Sequence, residues 1–454
     1  MTRAIVVGAS LAGLVAARVL SDAVEEVTVV ERDELPTDAV LRPGVPQAGH
    51  VHVLLRRGHR ELSRLFPEFD ARLAAGGAPP IDWVGDTVWI TPDGEAPRFA
   101  SRLRSRAASR PLFEAVLRDL VQRRENVRFV DGQEVVGLSG SASAVTGVRV
   151  RRRGSPLEDT AAEGDHELPG WLVVDASGRG SRTPGFLAEL GLEPPAETMV
   201  DASLRYASRT YRVPPGERDW TALLVRDRPP GSTRGGGVFA IEGDRWLVTL
   251  GGAGAADHPP THDAGFLDFA RTLISPRIYE AIGDAEPLTP TRGWARTANR
   301  WRHAERMPDW PSGLTLAGDS LCALNPVYGQ GMSVAAMEGP VLAAWLRSAP
   351  VAKAMARGHP PDTRPLIRDV AATARLPWFL AVGEDSRVPG VVGAPPAGRA
   401  ARLVQRYIEG VIHASARDAG AYRRFTEVTQ LIRPPVALFD PALIWRVMRV
   451  RSAR

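Results

Sequence analysis

Cysteine and lysine are almost absent from this sequence of 454 residues. Cys322 is the only cysteine, which excludes an intramolecular disulfide framework and predicts a protein of the reducing cytoplasm. Lys353 is the only lysine, so all but one of the 57 basic residues are arginine. Long apolar runs are missing as well. No stretch reaches the roughly 18 residues that a transmembrane helix needs, and the apolar start is too short for a signal peptide. We therefore expect no membrane span.

The charge of the chain does not indicate a nucleic-acid partner. The net charge is +5, yet no basic run is interleaved with aromatic residues, so we expect no nucleic acid to bind. His50 and His52 are two residues apart, but no cluster of cysteines or carboxylates accompanies them, and we predict no metal site. We interpret Cys322 as a small buried packing residue.

Hydrophobic periodicity predicts an α/β protein. The apolar segments AIVV (4–7) and VTVVE (27–31) indicate two strands on either side of a helix. Residues 196–300 alternate mostly as strands, with a hairpin at FAIEGDRWLVTL, and the last third of the chain is helical. Further helices are expected at about 51–66, from Pro111 onward, and from Gly331 to about Trp345. The segment 152–165 is predicted to be a polar loop.

These segments predict three structural units, in keeping with about 100–200 residues per domain. The first is a discontinuous, Rossmann-like nucleotide-binding domain, the second is a β-sheet domain inserted into it, and the third is a helical C-terminal region. The predicted boundaries are 1–70, 101–195 and 301–346 for the first unit, 71–100 and 196–300 for the second, and 347–454 for the third.

The first glycine-rich motif is GASLAG, from Gly8 to Gly13. Gly8 permits a tight turn out of the strand, and Gly13 lets the following helix pack close to the sheet. Ser10 replaces the usual middle glycine, and its hydroxyl can donate to a phosphate oxygen that the helix N-terminus also attracts. Glu31 ends the next strand about 20 residues later, where an acid binds a ribose diol. The motif therefore favours FAD or NAD over NADP.

Two further strand ends carry acids. LVVDASGRGSR places Asp175 ahead of a Gly/Ser loop, and LTLAGDS places Asp319 after Gly318. Three such acids exceed the needs of an NAD domain and suit FAD, whose ribityl chain requires a carboxylate partner. Pro326 then brings the loop to the flavin ring. The residues that would put N–H groups and a helix start against the pyrimidine end of the ring are Gly329, Gln330, Gly331 and Met332.

The three motifs resemble, in order, the signatures of the glutathione-reductase-type FAD proteins, specifically the aromatic-hydroxylase and squalene-epoxidase-like monooxygenases. The segments concerned are GASLAG with Glu31, DASGRGSR, and GDSLCALNPVYGQGMS. Two other segments, RPGVPQAGHVHVLL and FAIEGDRWLVTL, are similar to a narrower group, the actinobacterial olefin epoxidases of polyether biosynthesis, of the monensin and lasalocid type. The resemblance is good over about residues 1–345.

The resemblance implies an FAD-dependent monooxygenase that inserts one oxygen atom from dioxygen through a flavin hydroperoxide. The expected reaction is epoxidation of an alkene in a polyketide or terpenoid intermediate, and the substrate is an apolar small molecule. No catalytic side chain is identified. Electrons would come from NADPH or NADH, directly or through a separate flavin reductase.

The predicted FAD-binding residues follow the cofactor from one end to the other. They are Gly8, Ser10, Leu11, Ala12 and Gly13 at the pyrophosphate, Glu31 at the ribose, Val135 at the adenine, Arg32 and Arg110 as further FAD contacts, Arg42 and Gln47 as flavin contacts, Asp175 as support at its strand end, Gly318 and Asp319 at the ribityl chain, and Pro326, Gly329, Gln330, Gly331 and Met332 at the ring.

Other protein classes share related folds. A flavin halogenase would carry a W-x-W-x-I-P motif and an active-site lysine, and the sequence has neither at the expected place. A Baeyer–Villiger enzyme would carry a second dinucleotide motif, but TRGGGVFAI precedes a strand and not a helix. The intact nucleotide motifs argue against a non-catalytic binding protein. A hydroxylase of an aromatic polyketide and a flavin-dependent prenyl reductase remain open alternatives.

Overall fold

The computed structural model describes residues 2–154, 165–396 and 398–452. Most of the polar loop predicted at 152–165 lies outside these ranges. Within them, no helix combines the length and the apolar character that crossing a membrane would require.

Strands dominate the first two thirds of the chain and helices the last third. The strands are β1 (Arg3–Val7), β2 (Glu26–Val30), β3 (Pro80–Asp82), β4 (Thr87–Thr91), β5 (Gly94–Glu95), β6 (Arg104–Arg106), β7 (Val127–Val130), β8 (Gln133–Ser141), β9 (Ala144–Arg152), β10 (Asp165–Pro169), β11 (Leu172–Asp175), β12 (Glu197–Val200), β13 (Leu204–Arg212), β14 (Ala222–Arg226), β15 (Gly235–Ile241), β16 (Arg245–Ala253), β17 (Arg292–Trp294), β18 (Asn299–Arg302), β19 (Leu314–Leu316) and β20 (Cys322–Ala323). The α-helices are α1 (Leu11–Leu20), α2 (Arg56–Leu65), α3 (Phe69–Ala75), α4 (Arg110–Gln122), α5 (Thr183–Glu189), α6 (Asp263–Arg271), α7 (Arg277–Ile282), α8 (Gly331–Leu346), α9 (Ala349–Ala356), α10 (Arg364–Asp385), α11 (Arg399–Ser415), α12 (Ala419–Thr429) and α13 (Pro441–Ser452).

A five-stranded parallel sheet of order β19-β11-β1-β2-β7 contains the two strands at the start of the chain. All four residues of β11 are buried, which means that both faces of the sheet are covered. This explains why its strands are short apolar runs and not alternating ones. Helix α1 packs against β1, β2 and β11, and it also contacts α4 and α8. The predicted strand–helix–strand start of the chain is confirmed.

A seven-stranded sheet of order β17-β13-β16-β15-β14-β4-β5 forms the second layer. The predicted hairpin at FAIEGDRWLVTL is confirmed, since β15 and β16 pair antiparallel around it. Helices α6 and α7 interrupt the strand-rich segment, and Phe266 and Ile278 on them pack with the buried Trp246 and Tyr211. These aromatic and aliphatic contacts cover one face of the sheet.

The C-terminal third is helical, as predicted. Helix α10 packs along α8, and Trp378 on α10 meets Trp301 edge-on at 5.3 Å between ring centroids. The neighbouring Phe379 is 60% exposed. Successive residues of a helix are turned by about 100°, so only one of the pair can face the core.

The helix expected at 51–66 begins later, at Arg56. The reason is tertiary hydrogen bonding of the preceding backbone. The Val51 N–H donates to Thr249 Oγ1 (3.0 Å) on β16. The Leu55 N–H donates to Ser333 Oγ (3.0 Å) on α8. Residues 51–55 therefore run extended between the two halves of the molecule.

Candidate functional site

The glycine-rich turn between β1 and α1 is tightly constrained. Gly8 has φ +100°, and its N–H donates to Val30 O over 2.7 Å. A Cβ at Gly8 would lie 2.7 Å from Ala176 O, and a Cβ at Gly13 would lie 1.8 Å from Gly8 O. Both contacts are with backbone atoms, which cannot swing away. Glycine at these two positions therefore allows α1 to begin directly at the strand ends.

The three sequence motifs meet at this edge of the parallel sheet. Ala176 N–H donates to Val7 O, and Ala317 N–H donates to Asp175 O, both over 2.9 Å. A Cβ at Gly318 would lie 2.8 Å from Ala12 Cβ. The ends of β1, β11 and β19 are therefore adjacent to one another and to the first turn of α1, as the parallel topology requires.

Glu31 is buried at the end of β2. Its Oε2 accepts a hydrogen bond from the Ala9 N–H (2.8 Å) and forms an ion pair with Arg42 (3.0 Å). Its Oε1 accepts a hydrogen bond from the Asp33 N–H (3.1 Å). A carboxylate offers about four acceptor positions. Glu31 therefore keeps acceptor capacity while its orientation is fixed by the glycine-rich turn.

Glu114, on α4, ties together the groups around the start of α1. Ser10 Oγ donates to Glu114 Oε1 (2.6 Å), and Arg110 donates to the same oxygen (2.7 Å) and to Ser10 Oγ (2.7 Å). Burial alone would raise the pKa of Glu114, but Arg110 and Arg42 lower it to about 2. The sequence suggested that the Ser10 hydroxyl donates to a phosphate. In the structure its single proton is donated to Glu114, so the hydroxyl presents no free donor.

Arg42 lies among three buried carboxylates. Its guanidinium is 3.0 Å from Glu31, 3.2 Å from Asp33 and 3.2 Å from Glu114. Burial disfavours the charged form, yet Glu114, Glu31 and Asp33 raise the pKa of Arg42. The arginine is therefore a permanent cation at the Glu31 end of the site.

Asp175 organises the second motif. Oδ1 accepts from Ser177 N–H (2.9 Å) and Oγ (2.5 Å), and Oδ2 accepts from Ser181 Oγ (2.5 Å) and Thr183 Oγ1 (2.6 Å). Ser320, which follows Asp319, adds a hydrogen bond at 3.2 Å. Asp175 is buried and fully occupied by the protein. Its hydrogen bonds hold the residues that follow β11 in place.

Asp319 is different, because 35% of its side chain is exposed. Its Oδ2 lies 3.4 Å from Arg179 Nε. Its Oδ1 lies 3.7 Å from the position that a Cβ at Gly331 would take. Asp319 thus faces the first residue of α8 with acceptor capacity to spare, unlike Asp175.

The loop before α8 presents an unpaired polar atom. Pro326–Tyr328 forms one 3₁₀ turn, and Gly329 follows with φ +63°. A Cβ at Gly329 would lie 2.9 Å from Val53 Cβ, so the loop is pressed against the 51–55 segment. Gln330 is 4% exposed, and its Oε1 has no hydrogen-bond partner within the described ranges. A buried, unpartnered carbonyl oxygen at a helix start indicates a missing donor.

A buried network connects this loop to the C-terminal helices. Asp385, the last residue of α10, accepts hydrogen bonds from Asn299 Nδ2 (2.6 Å), Asn325 Nδ2 (3.0 Å) and Tyr328 OH (2.6 Å). Asn299 Oδ1 in turn accepts from the Asn325 N–H (2.7 Å). Burial raises the pKa of Asp385.

The remaining predicted contacts lie around these centres. Arg32 is exposed and donates to Gly44 O (3.2 Å), Gln47 lies in a 3₁₀ turn, and Val135 lies at an irregular step in the pairing of β8 with β9. Arg42, predicted as a flavin contact, is paired with Glu31. Met332 and Cys322 are buried, and burial raises the pKa of the Cys322 thiol, which agrees with its interpretation as a packing residue.

His50 and His52 are kept neutral by their surroundings. Burial, helped by Arg292, lowers the pKa of His50 to about 4, and burial with Arg110 lowers the pKa of His52 to about 3. His50 Nδ1 is 2.7 Å from Ser208 Oγ on β13. The loop thus reaches the seven-stranded sheet.

Several residues of this region were missed in the sequence. They are Glu114, Arg179, Asn299, Asn325 and Asp385. Only Glu114 had a readable signal, because it follows Arg110 by four residues and therefore shares its helix face. The others are united by contacts between distant segments.

Comparison with known proteins identifies a relative and a fold. No protein-family model matches the chain. A curated relative, Protein Rv3254 of Mycobacterium tuberculosis (strain ATCC 25618 / H37Rv), is 34% identical over 345 residues, which covers 74% of this chain and 71% of the relative.

Solved structures of flavin enzymes share the architecture. A triple mutant of the flavin-dependent brominase Bmp2 superposes with a TM-score of 0.67 at 14% identity, covering 99% of this chain and 98% of that one. PqsL, a probable FAD-dependent monooxygenase from Pseudomonas aeruginosa, superposes with a TM-score of 0.60 at 15% identity, covering 85% of this chain and 97% of that one. At such identity the likeness concerns the fold, which is of the flavin monooxygenase type. The chain belongs to the family of the mycobacterial protein Rv3254.

Proposed function

We propose that this protein is an FAD-dependent monooxygenase that epoxidises an alkene of a polyketide or terpenoid intermediate. One observation carries the proposal. The ends of three parallel strands meet the glycine-rich start of α1, and Asp319 beside them faces the start of a second helix, α8. Such an arrangement suits a long ligand with a pyrophosphate, a polyhydroxyl chain and a planar ring.

The residues at the Glu31 end fit the ADP half of FAD. Glu31 retains acceptor capacity for a ribose hydroxyl. Arg42 and Arg110 are cations beside the N-terminus of α1, where an anion is stabilised by the helix dipole. Glu114 holds both cations in place, so that the pyrophosphate would meet guanidinium groups that are already oriented.

The residues at the Gln330 end fit the flavin half. Asp319 has exposed oxygens for ribityl hydroxyls. The unpartnered Gln330 Oε1 would accept a hydrogen bond from an N–H such as that of the flavin pyrimidine ring. The sixteen-residue helix α8 begins at Gly331, so its N–H groups favour negative charge at that end of the ring. When bound, FAD supplies the activation of dioxygen.

The seven-stranded sheet is proposed as the substrate domain. His50, Tyr206 and Trp294 cluster on it, with the His50 ring 6.3 Å from Tyr206 and 6.1 Å from Trp294 between centroids. His50 and Tyr206 are buried, and His50 stays neutral at pH 7 beside the charged Arg292. Uncharged aromatic rings of this kind suit an apolar substrate better than an acid or a phosphate.

Halogenation is a second candidate, because structures of flavin-dependent halogenases share the fold. A halogenase would need a lysine in the active site, and the position of Lys353 does not fit that requirement. Lys353 is exposed on α9, the helix that follows α8, and not in the candidate site. We therefore rank oxygen insertion first and test halide directly.

The test begins with purified protein loaded with FAD. Its visible spectrum is followed under anaerobic NADPH or NADH and then with an added flavin reductase, which identifies the electron donor. Dioxygen uptake and products are measured with linear polyene substrates and with an aromatic polyketide, with and without bromide or chloride. Epoxides support the proposal, hydroxylation of the aromatic polyketide or reduction of a polyene double bond supports one of the two alternatives, and halogenated products replace it. A colourless protein that takes up no flavin would overturn it.

A further inference from the structure

We infer that Asp385 is a positioning residue that holds the Asn325–Gln330 loop in place, so that the end of α10 sets the geometry at the start of α8. The inference rests on the proposed function, because it assigns this loop to the flavin ring. It concerns a residue of the C-terminal helical region, about sixty positions further along the chain than the loop it holds.

The contacts of Asp385 are directed at the loop. Its two oxygens accept from Asn325 Nδ2 (3.0 and 3.2 Å) and from Tyr328 OH (2.6 Å), and Asn299 Nδ2 donates to Oδ2 (2.6 Å). Asn325 immediately precedes the 3₁₀ turn Pro326–Tyr328, and Tyr328 is its last residue. The carboxylate therefore binds both ends of one short turn.

Asn325 connects Asp385 to the backbone of the 3₁₀ turn. Its Oδ1 accepts from the Val327 N–H (3.2 Å) and thereby caps the 3₁₀ turn. Its own N–H donates to Asn299 Oδ1 (2.7 Å) on β18. Tyr206 OH on β13 donates to Asn325 Oδ1 as well (3.3 Å). The turn is thus joined to α10, to β18 and to the seven-stranded sheet by side chains that are themselves bonded to one another.

The composition of the network argues for a role beyond packing. Asp385 is 3% exposed, and all its hydrogen-bond donors are neutral amide and hydroxyl groups. The nearby Arg226 pairs with Glu384 instead, at 3.0 Å. Burying a carboxyl without a direct cationic partner costs free energy that an apolar residue would not cost. What the carboxyl contributes is directional acceptors that only one loop conformation can satisfy.

The experiment compares Asp385→Asn, Tyr328→Phe and the matched control Glu384→Gln with the unaltered chain. Asparagine at position 385 places an NH₂ group against the donors that the carboxylate accepts from. Phenylalanine at position 328 removes the hydroxyl donor to Asp385 without leaving a cavity. Glu384 is the neighbouring carboxylate, but it bonds to Arg226 and Arg387 and not to the loop. Amide hydrogen exchange of residues 327–331 is measured without ligand, and the dissociation constants of FAD and of ADP are measured by titration.

We expect Asp385→Asn and Tyr328→Phe to exchange faster at residues 327–331 and to bind FAD roughly tenfold more weakly, which corresponds to about 1.4 kcal/mol. Affinity for ADP, which lacks the ring, should stay within about twofold of the unaltered protein, and Glu384→Gln should change neither ligand. Equal losses for FAD and ADP, or unchanged loop exchange, would overturn the inference. If the unaltered chain binds neither ligand, the proposed function fails, and loop exchange alone then decides whether Asp385 holds the turn.

Discussion

Glu338 lies directly beneath Gly318, whose backbone N–H donates a 2.8 Å hydrogen bond to Glu338 Oε2. Burial of this side chain on α8, with Asp319 nearby, raises the pKa of Glu338 to about 8 against the opposing effect of the Gly318 N–H. The glycine that precedes Asp319 is therefore hydrogen-bonded to a carboxyl group that is protonated at neutral pH.

The first prediction concerns this pair and the dependence of stability on pH. Between the ordinary glutamate pKa of about 4.3 and the folded value of about 8, the native state retains a proton that the unfolded chain has lost. Stability should thus fall as pH rises through this window, by about 1.4 kcal/mol per pH unit from this group. Glu338→Gln removes that contribution.

Urea unfolding of the unaltered protein and of Glu338→Gln at pH 6.0 and 8.5 measures this contribution. Because every other group titrates in both proteins, the difference between their free energies of unfolding isolates the effect of Glu338. From pH 6.0 to pH 8.5, we expect the free energy of unfolding of the variant to rise by roughly 3 kcal/mol relative to that of the unaltered protein. Parallel stability curves would show that Glu338 is ionised in the folded state.

The second prediction concerns the glycine-rich turn. In Gly13→Ala the new Cβ would lie 1.8 Å from Gly8 O, so α1 must move away from the strand ends. We expect a loss of about 3 kcal/mol or more, at the upper end of overpacking effects. The matched control is Gly185→Ala in α5, where a Cβ meets nothing within 4 Å. Thermal unfolding measures both, and equal melting temperatures would contradict the close approach.

The third prediction concerns Glu114. Glu114→Ala releases Arg42, Arg110 and Ser10 from a common partner and should weaken binding of ADP and FAD alike, by roughly tenfold to a hundredfold. Asp119→Asn, an exposed carboxylate on the same helix that pairs with Arg123, is the control and should bind as the unaltered protein does. Fluorescence titration measures the affinities. Tighter binding by Glu114→Ala would mean that the carboxylate repels the pyrophosphate and does not orient its partners.

The fourth prediction separates the two halves of the cofactor. Asp319→Ala removes a partly exposed acceptor and little core volume, so the chain should fold, keep ADP affinity and lose most of its FAD. The exposed Asp309→Asn serves as a control for the loss of one negative charge. Flavin content after purification and FAD titration measure the effect. Unchanged flavin occupancy in Asp319→Ala would remove Asp319 from the ribityl site.

The start of the chain and the ends of β11 and β19 could be predicted because their signals are local. Gly13 is required by its contact with Gly8 O within one turn, and the apolar runs of buried parallel strands are contiguous in the sequence. The glycine motif itself is local, although the backbone that a Cβ at Gly8 would meet belongs to the distant Ala176. The hairpin at β15 and β16 and the burial of Cys322 were predicted on the same basis. The delayed start of α2 was missed, because Thr249 and Ser333, which bond its preceding backbone, lie far along the chain.

By itself the sequence determined the strand–helix–strand start, the hairpin at FAIEGDRWLVTL, the helical last third, the glycines of the first motif and the acids that end three strands. Each of these is specified by residues within a few positions of one another. Only the tertiary structure decided that Ser10 donates to Glu114, that Arg42 joins Glu31, and that Asp385 reaches Asn325. Those partners are separated by 104, 11 and 60 positions, or lie on different elements, and no periodicity encodes which buried polar groups will meet once the layers pack.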